Sequence, residues 1–176
     1  FHIPYLSRLQ PVQVAIHPIE GYEELFYKKR GRIGVGVGLA FAAFLALIIQ
    51  YQYTQFKFNF NDIDEINILY LFVQTVLLYI LFTVINWALT TLFNGKGKLK
   101  DIWIAVTYSL LPMVVTQLLG VLLSYFLAWD EDVFLNGLLL IGVIWSVFLL
   151  IKALSACHQY TFTKSILSIL FSILGI

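Results

Sequence analysis

The chain has 176 residues, of which 60% are hydrophobic and 12% charged, with a formal net charge of +1. A soluble domain carries roughly 25% charged residues, so too few are present to coat a water-facing surface, and an ordinary soluble fold is excluded. The near-neutral total gives no electrostatic case for a nucleic-acid partner.

The chain begins at Phe1, and its only methionine is Met113, so native residues are expected to precede it. Residues 1–16, with Pro4 and Pro11, read as an irregular lead-in, and residues 1–13 are neither basic nor apolar enough for a signal peptide. Residues 17–32 predict an amphipathic helix. Pro18 suits its first position. Ile19, Tyr22, Leu25 and Phe26 recur at helical spacing, while Glu20, Glu23, Glu24 and Lys28 take the other face. Such a helix either lies in the membrane interface or packs on loops at the soluble side.

A spanning helix needs about 20 mostly apolar residues. Four runs meet that length: 33–53, 66–93, 102–129 and 133–154. A fifth, 161–176, rises only about 24 Å against a hydrocarbon core of about 30 Å, so it either tilts little or continues further. The expected fold class is an all-α membrane protein, with five transmembrane helices in 33–176 preceded by a lead-in, 1–32, carrying a short amphipathic helix.

Charge distribution predicts the orientation. Arg8, Lys28, Lys29, Arg30 and Arg32 precede the first run, Lys96, Lys98 and Lys100 join the second to the third, and Lys152 and Lys164 flank the last join. Lys57 stands alone among basic residues in loops of opposite parity, which instead carry Asp62, Asp64, Glu65, Asp130, Glu131 and Asp132. By the positive-inside rule the N-terminus is expected to be cytoplasmic and the C-terminus outside, and the expected location is the plasma membrane. Tyr51, Tyr53, Trp103, Trp129 and Tyr160 fall near the expected boundaries, as interfacial aromatics do.

Helices in lipid associate through close packing and a few hydrogen bonds, so small residues mark contact faces. Gly34, Gly38, Ala42 and Ala46 form one such ridge, and Gly34–Gly38 matches GxxxG. Thr116, Gly120 and Ser124 form a second, with Pro112 one step earlier, and Ser165, Ser168, Ser172 and Gly175 a third. These faces pack either within the chain or against another protein. Pro112 removes a backbone donor inside the third run and predicts a kink.

Ionisable residues in mid-membrane mark function by default. None is expected at a span centre; the nearest, Lys152, can snorkel to the interface. The acidic residues all map to loops or helix ends, which argues against proton- or ion-coupled transport. Gln74, Asn86 and Gln117 are the neutral polar residues within the runs, available for interhelical hydrogen bonds or for a polar path. Gly34–Gly38 lacks the preceding strand of a dinucleotide loop, and residues 94–100 lack the Gly-Lys-Ser/Thr of a phosphate loop. That lysine turn, Lys96, Lys98 and Lys100, either anchors topology or meets lipid headgroups or a cytoplasmic partner. Zinc wants three or four ligands, and beyond the adjacent Cys157 and His158 only His2 and His17 remain elsewhere in the chain, so a metal site is not expected. No catalytic constellation, metal site or cofactor is expected.

Five stretches together carry a family resemblance. Asn86-Trp87-Ala88-Leu89-Thr90-Thr91-Leu92-Phe93-Asn94-Gly95-Lys96-Gly97-Lys98-Leu99-Lys100-Asp101, followed by Ala105-Val106-Thr107-Tyr108-Ser109-Leu110-Leu111-Pro112, resembles the bacterial Yip1-domain family. His17-Pro18-Ile19-Glu20-Gly21-Tyr22 with Lys29-Arg30-Gly31 resembles that family's lead-in, and Ala156-Cys157-His158-Gln159-Tyr160 before Lys164 its last turn. The resemblance implies a five-span membrane protein without enzyme activity. Eukaryotic members act in vesicle trafficking with small GTPases, but the Asp-Leu-Tyr-Gly-Pro motif typical of them is absent here.

The expected function is a non-catalytic accessory or scaffolding subunit of a membrane protein complex, such as a bacterial ABC-type transport system. It would act through helix contacts with integral membrane proteins such as transporter permease subunits. The alternatives are a transporter or channel-forming subunit with its own polar path, and a lipid-binding or membrane-shaping protein.

Overall fold

The computed structural model describes residues 10–59 and 67–176. Arg8, the acidic group Asp62, Asp64 and Glu65, and the first residue of the expected 66–93 run lie outside the described residues. Among the described residues the α-helices are α1 (Gln10–Ile16), α2 (Pro18–Tyr27), α3 (Ile33–Tyr53), α4 (Ile68–Ala88), α5 (Thr90–Phe93), α6 (Leu99–Ser109), α7 (Leu111–Ser124), α8 (Asp132–His158) and α9 (Phe162–Leu174). Four helical stretches are long and apolar enough to cross a membrane: Ile33–Tyr53, Ile68–Ala88, Leu99–Ser124 and Trp129–His158. The 13 residues of α9 rise only about 20 Å.

Several expected boundaries are corrected. Gln10–Ile16 is helical rather than irregular. Pro11 sits in the first turn, where its missing N–H would have had no intrahelical partner. The second run breaks at Leu89, which caps α4 and precedes the single turn α5. The third ends as a helix at Ser124, with Trp129 in a separate 3-10 turn, Trp129–Glu131. The amides of Tyr125 and Phe126 bond three residues back, to Leu122 and Leu123, the tightened last turn common at helix ends. The fourth extends to His158, so Ala156, Cys157 and His158 belong to the helix and the turn begins at Gln159.

The expected kink at Pro112 is an interruption between α6 and α7 at Leu110. Leu110 N–H bonds Thr107 O three residues back, at 3.3 Å. The amide of Met113 is taken by Ser146 Oγ of α8 at 3.2 Å. A neighbouring helix thus satisfies a backbone group freed by the break, as lipid requires.

The core sits around α6. Ile102, Ile104, Ala105, Val106, Thr107, Tyr108 and Ser109 are all buried, because α3, α4 and α8 surround the helix. Leu149, Ala153 and Leu154 of α8 fill the facing side. Helix α7 packs between α3 and α8, and α9 lies against α4 and α8. The small α1–α2 pair rests on α8, with Tyr22 and Leu25 of α2 buried, and Trp145 Nε1–H donates to Ala15 O at 3.1 Å. Glu24 ties the end of α2 together through Lys28 and Arg30. The Lys28 hydrogen bond in particular holds the Glu24 carboxyl below the usual carboxylate range. Lys152 places its ammonium 5.6 Å from the ring centres of both Phe148 and Phe162, a cation–π distance.

Candidate functional site

Two turns meet at the basic end of the bundle. The first, residues 94–98, follows α5; Asn94 adopts the left-handed conformation (φ 54°) that asparagine tolerates. The second ends α8 at Gln159 (φ 58°), with Tyr160 N–H returned to Ser155 O at 3.0 Å, the longer bond of a Schellman-type cap. Lys96 Nζ donates to Gln159 Oε1 at 2.7 Å, so the turns are joined at their tips.

Beneath the tips lies a buried polar chain. Gly97 N–H donates to His158 Nδ1 at 3.3 Å. A backbone N–H can only donate, so Nδ1 is the acceptor, Nε2 carries the proton, and that proton is given to Asn86 Oδ1 at 3.1 Å. Asn86 Nδ2 then donates to Ser168 Oγ at 2.8 Å and Ser172 Oγ at 2.9 Å, and Ser172 Oγ–H returns to Ser168 O at 2.7 Å. Asn86 and His158 are each only 1% exposed, so this satisfaction is obligatory. The His158 ring stacks on Tyr160 at 4.8 Å between centroids. A Cβ on Gly97 would fall 2.6 Å from Cys157 Sγ and 2.9 Å from His158 Nδ1. The Gly-Lys-Gly turn therefore needs Gly97 so that its backbone can approach the histidine.

The other sequence-predicted residues are distributed as follows. Lys96 belongs to the joint, whereas Lys98 and Lys100 flank a cavity under the α2–α3 connection. Of the first ridge, Ala46 is buried and Ala42 half-buried, but Gly34 and Gly38 point outward with no atom within 4 Å of a Cβ. The glycine in close contact is Gly36, whose Cβ would lie 2.6 Å from Thr107 Oγ1. Thr116, Gly120 and Ser124 face inward: Thr116 abuts Gly142, Gly120 abuts Leu135 and Leu139, and Ser124 Oγ accepts Gln55 N–H at 3.1 Å. Pro112 is half-buried at the helix break.

The three amides of the apolar runs do not share one path. Gln74 is exposed on α4, and Asn86 is consumed by the buried chain. Gln117 lines a cavity of about 280 Å³ near the opposite end, with Gln50, Asn59 and Asn136. The sequence reading missed His158 as the centre of the joint. Its only local signal is a histidine ending a long apolar helix just before a Gln-Tyr turn, and its partners lie 61 and 72 residues away. Gly36 was hidden among alternating glycines.

No curated protein and no solved structure matches the chain. The Yip1 domain profile matches residues 12–176, which takes in both halves of the joint, the lysine turn and all of α2–α9. By that match, over nearly its whole length, this multi-pass chain belongs to the Yip1-domain family of membrane proteins.

Proposed function

We propose that the chain is a non-catalytic subunit of a membrane protein complex that holds its partners through the outward face of α3. In this reading it crosses the plasma membrane five times, N-terminus cytoplasmic, with residues 1–32 as a lead-in whose amphipathic helix rests at the interface. The partner is another integral membrane protein, of the class of a transporter permease subunit.

The observation that carries the reading is the exposure of Gly34 and Gly38. Helix α3 already uses Gly36, Ala40, Ala43 and Ala46 toward its own bundle. Gly34 and Gly38 lie away from that contact, in open space, beside exposed Val37 and Phe41. A GxxxG pair lets a second helix come close enough for backbone-to-backbone packing. In lipid, a Leu at those positions would be equally at home, so a glycine pair on the outward face supports a contact there.

The test is the double substitution Gly34→Leu/Gly38→Leu in the native membrane. It should leave the extracted chain folded, because neither side chain meets its own bundle, and should abolish co-purification of membrane partners. Gly36→Leu should instead disrupt the chain's own packing against Thr107 and Trp103. Unchanged partner recovery in the Gly34→Leu/Gly38→Leu protein would refute the reading.

A further inference from the structure

We propose that the cavity between the α2–α3 connection and the start of α6 holds the phosphate headgroup of an anionic membrane phospholipid. The cavity has a volume of about 440 Å³. Four cations line it, Lys29 and Arg32 from the connection and Lys98 and Lys100 from the lysine turn, against one carboxylate, Asp101. These side chains come from segments about 70 residues apart in sequence, so their convergence is a property of the fold.

The four cations are uncompensated. Among the described residues the ion pairs are made by Lys28 and Arg30, both to Glu24, and none involves Lys29, Arg32, Lys98 or Lys100. Asp101 turns back to its own helix start, accepting from Lys98 N–H at 3.4 Å. Positive charge concentrated around a cavity with so little internal neutralisation calls for an anion from outside.

The apolar half of the lining selects the kind of anion. Leu25, Phe26, Ile33 and Ile104 complete the cavity, and Ile33 is the first residue of the long apolar helix α3. A phosphate group seated among the cations would have its glycerol and acyl chains leave along Ile33 and Phe26 into the bilayer. Free phosphate gains nothing from such a wall, whereas a phospholipid gains on both sides. With four cations facing one carboxylate, a headgroup bearing two negative charges, such as phosphatidic acid, neutralises more of the site than singly charged phosphatidylglycerol. This inference requires a bilayer around the chain but not the α3 contact, so either can fail alone.

The experiment uses the full chain in neutral detergent and a fluorescent phosphatidic acid, followed by anisotropy. Phosphatidic acid should bind in preference to phosphatidylglycerol, with phosphatidylcholine weakest. Each cation removed should weaken binding roughly fivefold, so Lys98→Gln/Lys100→Gln should lose roughly 25-fold. Lys98→Arg/Lys100→Arg should keep binding, and Lys164→Gln, a single lysine neutralised outside the cavity, should not alter it. Equal binding of phosphatidic acid and phosphatidylcholine, or an equal loss in Lys164→Gln, would overturn the proposal. So would displacement of the lipid from the unsubstituted chain by inorganic phosphate at comparable concentration, a result that needs no variant.

Discussion

At the scale of single residues, His158 and Asn86 act as a coupled pair. Neutral His158 with its proton on Nε2 can hold Gly97 and Asn86 together, and Asn86 can then spend both amide hydrogens on α9 serines. The side chains thereby connect α4, the lysine turn, α8 and α9 without any charge in the apolar interior. Removing one member strands the others. Asn86→Leu should destabilise the detergent-solubilised chain by about 1–2 kcal/mol, read as a lowered thermal midpoint. Gln74→Leu, the same kind of change at an exposed site, should stay within about 0.5 kcal/mol. The polarity of Asn86 and the serine stripe were legible in the sequence, with interhelical hydrogen bonding one of two uses left open for Asn86. His158 was not, because a histidine's role is set by what the fold brings to its two nitrogens.

Among elements, the determining feature is the divided helix α6–α7. The break leaves the start of α7 with donors that no preceding turn can accept, and Ser146 of α8 supplies one acceptor. Ser146→Ala should cost about 1 kcal/mol of stability, since it buries an unpaired Met113 N–H, while exposed Thr163→Ala should cost nothing measurable in the same thermal assay. Pro112 made the interruption readable in advance, because proline's missing donor is a local property. The ends of α4, α7 and α8 were harder to read. Residues beyond Ala88 and Ser124 remain apolar, so composition did not change where the helix stopped, and His158 is polar yet buried inside the helical bundle. Helical phase was the other loss. A spacing of four finds Gly34, Gly38, Ala42 and Ala46 on one line, but α3 turns Gly36, Ala40 and Ala43 toward its neighbours and leaves Gly34 and Gly38 outside. Which line of a uniformly apolar helix faces inward is decided by α6 and α7, not by α3.

For the whole molecule, four long apolar helices and the shorter α9 form one all-helical body with basic turns gathered at one end. The basic end holds the joint, α2 and the cation-lined cavity, α1 reaches Trp145 midway along α8, and the opposite end holds the amide-lined cavity. The five-crossing reading places these two ends on opposite faces of the membrane and makes α9 the last crossing, although α9 is short and Gly175 beyond its end abuts Ile85 near the basic end of α4. The direct measurement is cysteine labelling with an impermeant thiol reagent in a Cys157→Ser background, with single cysteines introduced as Lys98→Cys, Glu131→Cys or Ile176→Cys. Glu131→Cys and Ile176→Cys should label in intact cells, and Lys98→Cys only after the membrane is opened. Labelling of Ile176→Cys from the same side as Lys98→Cys would show that α9 does not cross, and would contradict the five-span arrangement.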